Sequence, residues 1–414
     1  MTDDRGQWNR RRVLKYLVVG GTVTLIGGIV GAKLSWWESS SVSQSTSSSV
    51  SQSTPVIDAY ELITQALVAG ERKVYLPSGN YSVSKSILVN MPNVEIYGDG
   101  KDATVLRLND NVLADALYFQ RGANGFYVHD LQLDGNKLNQ LSFPGAGGSI
   151  NINGIDAWNC SNGIVENCFI HDSRVFGIAF GLCSNCKVLN NLVQNSDANG
   201  ITISNQHGGS GNLVQGNVVD GASDVGITGW DAVDYTVQQN IVKNVTLSTS
   251  PFGNNSHIGI LAEGSPNGTG SKNCTYSENT VSNVLGSGMY SSPANATNSP
   301  SNQNEDIVFE SNTIQNCGMG ITVNHTIGFT GTSNLIDGIT NVRGWAIQVG
   351  PDASSVVFTG NQLEGVPASM SGAVVQLGSP TGIFKNNTIY ANGNDALYVK
   401  YKNGWVVSPN TIVP

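Results

Sequence analysis

A repeated pair of landmarks constrains this chain more than any other feature of its sequence. A small residue opens a short apolar run ten times, at intervals of 23 to 33 residues. The ten openings are Gly154, Gly177, Gly200, Gly226, Gly259, Gly288, Gly320, Ala346, Ala373 and Ala396. Each repeat also carries an Asn two residues before an apolar one, with Cys168 in its place in the first repeat. Two landmarks that stay in phase through ten repeats indicate an architecture of stacked units.

The pattern inside each repeat selects the kind of unit. Apolar and polar residues alternate in short runs such as Ile201-Thr202-Ile203, and a period of two indicates a strand. No repeat contains an amphipathic stretch long enough for a helix, which excludes leucine-rich and all-helical solenoids. We therefore expect an all-β, right-handed parallel β-helix of about ten or more rungs, stacked about 4.8 Å apart. The Asn residues should form a ladder inside it, with members Asn191, Asn217, Asn240, Asn279, Asn312, Asn334, Asn361, Asn387 and Asn410.

The first residues of this region have a different period. Residues 56–70 show helical spacing of apolar residues and end at Gly70. An N-terminal capping helix there would cover the open edge of the first rung.

Two phrases that follow the capping helix carry a resemblance to a known group of proteins. They are YLPSGNY at 75–81 and IYGDGKDATVL at 96–106. Together with the repeats, they resemble the right-handed β-helix domains of the pectate-lyase-like superfamily, over residues 56–414. The resemblance implies an extracellular protein that binds or cleaves polysaccharides, or an adhesin or tailspike without lyase activity.

The N-terminal segment predicts export. Residues 10–15 read RRRVLK and precede an apolar run over 16–32, which resembles a twin-arginine export signal. Residues 1–35 are then a signal peptide or, if uncleaved, a membrane anchor. Residues 36–55 form a Ser/Thr-rich linker, and 56–414 form the β-helix domain. We expect an extracellular or cell-surface location, and the N-x-S/T sequons predict a glycoprotein where the host glycosylates.

Charge limits the choice of partner. The net charge is −9, and residues 56–414 contain 15 Lys and Arg against 27 Asp and Glu. Binding of nucleic acid depends on clustered cations, so we expect no nucleic-acid partner.

Strand alternation predicts which side chains face outward. After each opening residue, the second and fourth positions should be exposed on the sheet that follows, here called the first sheet. The candidate substrate-binding residues at these positions are Asp156, Trp158, Trp230, Glu263 and Tyr290. The candidate catalytic residues come from the adjoining turns and are Asp197, Asp224, Asp231, His257 and Arg174.

These residue types suit a glycan, because Trp faces stack on sugar rings and paired carboxylates can act as acid and base. Asp197 and Asp224 are the acid and base candidates, with His257 or Asp231 assisting. Arg174 is the candidate base for a lyase. Two functions stay open: a polysaccharide-binding protein that also acts as a hydrolase or lyase, and a non-catalytic adhesin or structural protein.

Several motifs of β-helix enzymes that act on charged polysaccharides are missing, and this limits the classes of substrate that we expect. The paired-Asp and Gly-His-Gly motifs of polygalacturonases and the DPHD motif of alginate epimerases do not occur. Cations that could neutralise a uronate are scarce, so we expect a neutral or weakly charged polysaccharide or cell-surface glycan. No residue is assigned to a metal, and a need for Ca²⁺ stays open. Cys160 and Cys183 should stack on adjacent rungs, either as a disulfide or as two buried thiols.

Overall fold

The computed structural model describes residues 56–140, 152–205, 208–246, 256–265, 268–293, 302–368, 370 and 372–414. The predicted signal or anchor at 1–35 and the linker at 36–55 lie outside these residues. The described residues from Ile57 onward form one compact unit. None of the helices in the described ranges is both long enough and apolar enough to span a bilayer.

The chain winds into a parallel β-solenoid of about twelve turns. Three sheets run along its length, and every strand pairs in parallel with the equivalent strand one turn away. The prediction of an all-β, right-handed parallel β-helix is confirmed.

The first sheet follows the small opening residues, and the other two sheets follow in chain order within each turn. The first sheet contains Ile87–Val89, Leu117–Phe119, Ile155–Trp158, Ile178–Gly181, Ile201–Ser204, Val225–Trp230, Ile258–Gly264, Ile347–Val349, Val375–Leu377 and Leu397–Val399. The second sheet contains Lys73–Leu76, Glu95–Gly98, Tyr127–His129, Ile164–Glu166, Lys187–Leu189, Leu213–Gln215, Thr236–Gln238, Lys272–Ser277, Asn304–Glu310, Thr326–Ile327, Thr330–Thr332, Val356–Thr359, Gly382–Lys385 and Trp405–Val406. The third sheet contains Ile57–Asp58, Gly79–Val83, Thr104–Leu108, Gln132–Asp134, Phe169–His171, Leu192–Ser196, Val218–Ala222, Ile241–Val245, Leu335–Ile339, Gln362–Glu364, Thr388–Tyr390 and Thr411–Val413. Two longer strands, Thr280–Pro293 and Thr313–Val323, run from the third sheet into the first.

The opening residues are small because the turns approach one another closely at these positions. A Cβ atom on Gly226 would lie 2.2 Å from Cγ1 of Val242 and 2.6 Å from the carbonyl oxygen of Gly259. A larger residue would therefore push adjacent turns apart, which explains the first landmark of the repeat.

The Asn ladder forms as predicted. Asn279 shows the pattern: its Nδ2 donates to Oδ1 of Asn312 at 3.0 Å and to the carbonyl oxygen of Val237 at 3.0 Å. Its Oδ1 accepts from both the backbone nitrogen and Nδ2 of Asn240. The backbone nitrogen of Cys168 donates to Asn191 at the start of the ladder. The ladder thus pairs buried turn groups from one rung to the next.

Apolar stacks fill the interior beside this ladder. Six aromatic rings with neighbouring centroids 5.1 to 6.3 Å apart run along the axis, namely Tyr235, Tyr276, Phe309, Phe329, Phe358 and Phe384. All six cysteines are buried free thiols, so Cys160 and Cys183 adopt the thiol alternative. Burial raises the pKa of Cys274 to about 12, which keeps this thiol protonated.

The predicted capping helix spans Ala59–Val68. Asp58 caps its N-terminus by accepting from the backbone nitrogen of Tyr60 at 3.0 Å. Ala59, Ile63 and Leu67 are buried in the core of the solenoid. The helix therefore covers the first turn of the solenoid, as the sequence predicts.

Candidate functional site

Two rows of outward-facing residues cross the strands of the first sheet. Strand pairing places the second positions in register as Asp156, Ala179, Thr202, Thr228, Leu261 and Tyr290. The fourth positions align as Trp158, Gly181, Ser204, Trp230, Glu263 and Ser292. The predicted register is confirmed, but the expected exposure is wrong, because most members of both rows are buried.

Trp158 marks the N-terminal side of the fourth-position row. A Cβ atom on Gly181 would lie 2.3 and 2.4 Å from two carbon atoms of the Trp158 ring. The indole therefore lies over Gly181 on the next rung and remains half-buried there. A residue without a side chain at this place lets the ring lie along the solenoid axis.

Trp230 is held by contacts to two other turns. Its indole Nε1 donates to Oε2 of Glu263, which lies in register on the following rung. Its ring meets Phe176 edge to face, with centroids 6.3 Å apart and planes at 85°. Phe176 precedes the strand Ile178–Gly181, whereas Trp230 ends a strand two turns later, so the ring pair crosses the outer face of the sheet diagonally.

Small polar side chains lie at the positions that this ring pair crosses. Asn199 Nδ2 donates to Oγ1 of Thr202 at 3.1 Å. Within the described residues, Oδ1 of Asn199, Oγ of Ser204 and Oγ1 of Thr228 are buried without a hydrogen-bond partner. Buried polar groups normally have partners, so this group needs a physical explanation.

Two buried carboxylates, those of Asp115 and Asp156, lie at the N-terminal end of the second-position row. Asp115 Oδ1 accepts from the backbone nitrogen of Asn153 at 2.8 Å. Asn153 Nδ2 donates to Oδ2 of Asp156 at 3.3 Å, and Tyr118 lies in register with Asp156. Sequence reasoning found Asp156 but missed Asp115 and Asn153. A signal existed, since Asp115 lies two residues before the strand that pairs with Ile155–Trp158.

Asp197 and Arg174 form part of a cation–carboxylate cluster. Oδ2 of Asp197 is paired with Nη1 of Arg174, and its Oδ1 lies 3.1 Å from Nζ of Lys137. All three side chains are largely buried. The Asp197 carboxylate thus compensates two cations, a contribution to structure that the sequence did not indicate.

Asp224 and His257 lie in the turn that precedes the first sheet, but not in the expected alignment with Asp197. Strand pairing sets Ser196 against Ala222, so Ser223 lies above Asp197, and its hydroxyl donates to the Asp197 carbonyl oxygen at 2.9 Å. Asp224 Oδ1 accepts from the backbone nitrogen of Ser256. His257 has a positive φ of 49°, and its carbonyl oxygen accepts from Gly286. A one-residue register offset therefore separates the predicted acid and base.

Asp231 organises a loop. Its Oδ1 accepts from the backbone nitrogens of Ser265 at 3.1 Å and Gly270 at 2.9 Å, and its Oδ2 accepts from the Ser265 hydroxyl. A Cβ atom on Gly268 would lie within 2.3 Å of the carboxylate. The fully buried Asp231 thus binds the loop that returns the chain to the second sheet.

Tyr290 closes the C-terminal side of the second-position row. Its hydroxyl accepts from Nδ2 of Asn324 at 2.8 Å. Its ring packs on a small apolar cluster of Val225, Ile258 and Leu261, outside the main core. This end of the face is therefore apolar, in contrast to the carboxylate end.

A third group outside the first sheet has the side chains of a metal site. One ligand atom from each of Asp134, His171 and Asp172 lies within 4.8 Å of the others. However, Asp134 is paired with Arg107, and Nδ1 of His171 lies 2.7 Å from Oδ2 of Asp172. These partners, above all the Arg107 guanidinium, make the group a poor fit for Ca²⁺, which prefers a shell of free oxygen ligands.

Comparison with known proteins agrees with this architecture. The family model for the right-handed beta helix region matches residues 79–242. No curated protein matches the sequence. The fold and its register define the chain as a parallel β-solenoid of the right-handed β-helix type.

The solved structures that resemble the chain share its fold at low sequence identity. The A-module of the mannuronan C-5 epimerase AlgE6 from Azotobacter vinelandii is 17% identical, with a TM-score of 0.69 over 87% of this chain and 96% of that chain. The catalytic domain of a GH87 alpha-1,3-glucanase in complex with tetrasaccharides is 16% identical, with a TM-score of 0.59 over 87% and 67%. The Dettilon tailspike protein is 13% identical, with a TM-score of 0.56 over 82% and 64%. These likenesses establish the fold alone.

Proposed function

We propose that this protein binds a polysaccharide along the outer face of its first sheet. The carrying observation is the fourth-position row, in which Trp158 and Trp230 lie three rungs apart with only Gly181 and Ser204 between them. Two indoles along one axis, separated by small residues, suit a linear glycan that stacks on both.

The charges of the described residues favour a neutral glycan. Glu263 belongs to this row and Asp156 to the neighbouring second-position row, and the cations Lys137 and Arg174 are paired with Asp197. A polymer of uronates would bring its carboxylates close to these acids, and Lys137 and Arg174 are already paired with Asp197. The solved relatives cover both cases, since one acts on mannuronan, a charged polymer, and another on alpha-1,3-glucan, a neutral one.

The contacts of the catalytic candidates favour binding without cleavage. Asp197 compensates two cations, and Asp231 accepts three hydrogen bonds from its loop. Both carboxylates therefore have structural partners, and a general acid or base would need at least one oxygen facing the substrate. We accordingly propose a surface-attached glycan-binding protein, exported through the segment at 1–35, as the leading form of this function. A hydrolase that uses the buried Asp115 and Asp156 is the second candidate.

A binding and product assay tests the function. The protein is applied to a glycan array and then titrated with alpha-1,3-glucan and mannuronan, with reducing ends and ultraviolet absorbance followed over time. We expect the neutral polymer to bind and Trp158→Ala with Trp230→Ala to reduce affinity at least about 10-fold. Tyr75→Ala, at an exposed ring on the second sheet, serves as the matched control.

The outcomes separate the alternatives. Binding without products supports the non-catalytic form, and products that disappear in Asp156→Asn support the hydrolase. Equal affinity of the double Trp variant and the Tyr75 control would contradict the proposed face.

A further inference from the structure

Three polar side chains on the strands between Phe176 and Trp230 differ from the buried Asn ladder of the fold. Asn199, Ser204 and Thr228 are each at least 98% buried, yet each has a side-chain atom without a hydrogen-bond partner in the described part of the chain. Native proteins rarely leave three such atoms unpaired in one place unless water or a ligand pairs with them.

These atoms belong to one small area. Asn199 lies two residues before the strand Ile201–Ser204 and hydrogen-bonds with Thr202, while Ser204 ends the strand. Thr228 is in register with Thr202 on the next rung. Ser204 is in register with Trp230. The unpaired oxygens therefore lie on two adjacent rungs, about 4.8 Å apart along the axis, on the strands between Phe176 and Trp230.

We infer that this area is a subsite for one neutral pyranose ring, whose hydroxyl groups hydrogen-bond with Asn199, Ser204 and Thr228 and whose face stacks on Trp230. The inference rests on the proposed function. It names the class of sugar that is bound and the residues that contact one ring of it. The amide oxygen of Asn199 accepts a hydrogen bond, and the two hydroxyls both donate and accept, which matches the uncharged hydroxyls of a neutral sugar.

Glu263 gives the subsite its selectivity. Its carboxylate accepts from the indole nitrogen of Trp230 and lies next to the stacking ring. A sugar carboxylate in the subsite would meet this charge at short range, and a like charge in a buried place is strongly unfavourable. The subsite thus admits hexoses and rejects hexuronates.

Access requires the Trp230 ring to move away from Phe176. The edge-to-face contact with Phe176 is then replaced by stacking on the sugar, while Glu263 orients the indole. Trp230 therefore takes part in binding through movement of its ring, and Glu263 takes part through its charge.

Conservative substitutions test the subsite without changing its shape. Thr228→Val and Ser204→Ala each remove one unpaired oxygen, and Thr236→Val on the second sheet is the matched control. By calorimetric titration with neutral hexose oligosaccharides, we expect each subsite variant to bind about 5- to 10-fold more weakly and the control to bind as the parent does. Because the removed oxygen is unpaired in the free protein, the melting temperature should stay the same or rise.

Glu263→Gln tests the selectivity. The amide oxygen still accepts from the Trp230 indole, but the negative charge is gone. We expect hexuronate oligosaccharides of matched length to gain about 10-fold in affinity relative to neutral ones.

The results distinguish failure of the subsite from failure of the function. Unchanged affinity in both Thr228→Val and Ser204→Ala, with binding still lost in the double Trp variant, would overturn the subsite and assign the oxygens to buried water. Absence of binding by the parent protein to every glycan would overturn the proposed function itself.

Discussion

The Asn ladder inside the solenoid and the polar groups outside the first sheet use similar side chains at similar burial, but they differ in hydrogen bonding. Asn279 donates twice and accepts twice within the ladder. Asn205, 3% exposed near the outer row, has both amide atoms unpaired within the described residues. The ladder is complete without any other molecule, whereas the outer groups are not.

The difference shows where each region gains its free energy. A fully paired buried network stabilises the folded state, and each unpaired buried group destabilises it. A chain that retains unpaired groups in one area gives up stability there, and that is typical of places that bind something. Four substitutions test this contrast between the ladder and the outer groups, and they follow in order from the largest expected effect to the smallest.

Asn279→Ala should cause the largest loss of stability. The substitution removes four hydrogen bonds and leaves both nitrogens of Asn240 and the carbonyl oxygen of Val237 with fewer partners in a buried place. We expect the free energy of unfolding to fall by about 4 kcal/mol, measured by urea denaturation. Asn205→Ala is the matched control and should change stability by less than about 0.5 kcal/mol. Equal losses in the two variants would contradict the contrast between the regions.

Asp197→Asn should have the next largest effect on stability. The substitution keeps the shape of the side chain but leaves Lys137 and Arg174 close together without their shared counter-charge. We expect a loss of about 2 kcal/mol, with the exposed Asp102→Asn as the control. Glycan affinity should stay unchanged in the folded variant. A loss of affinity or of product formation at full stability would instead restore Asp197 as a catalytic residue.

Gly181→Ala should cost little stability but should weaken binding. The added methyl group overlaps the Trp158 ring, which is the movable end of a side chain, so the ring shifts rather than the backbone. We expect a stability loss of about 1 kcal/mol or less and a several-fold loss of glycan affinity, read from unfolding and titration experiments. Gly372→Ala, where the nearest atom is 3.8 Å away, is the control. Unchanged affinity would show that the position of Trp158 does not matter for binding.

The fold could be predicted from the sequence because each rung repeats the same constraints. The close approach at Gly226 and the hydrogen bonds of Asn279 recur at equivalent positions of other rungs. The sequence pattern of one rung therefore predicts the structure of the others. The register of the outer rows also follows from strand alternation, and it places Trp230 beside Glu263 as predicted.

The contacts of the site could be predicted only in part, because they join distant segments. The ring of Phe176 reaches Trp230 across two turns, and Lys137 pairs with Asp197 from 60 residues away. Neither contact belongs to the repeated pattern. Asp115 escaped prediction because its rung precedes the first opening recognised at Gly154. The repeat thus specifies the backbone, whereas the residues that depart from it determine the site.

Asp172→Asn should have the smallest effect on the free energy of unfolding, and this effect should depend on pH. The hydrogen bond from His171 is the main cause that holds the pKa of the Asp172 carboxyl below its usual value, against the opposing effect of burial. A carboxyl whose pKa is lowered by folding stabilises the protein above its unfolded pKa of about 3.9 and loses that contribution as the pH falls through the folded value. The stability difference between parent and variant should therefore shrink as the pH falls below about 4, in urea denaturation at each pH. The exposed Asp102→Asn should show no such dependence. A difference that persists undiminished at about pH 2 would mean that Asp172 stabilises the fold through its shape rather than its charge. The contact between Asp172 and His171 would then contribute no ion-pair energy to the free energy of unfolding.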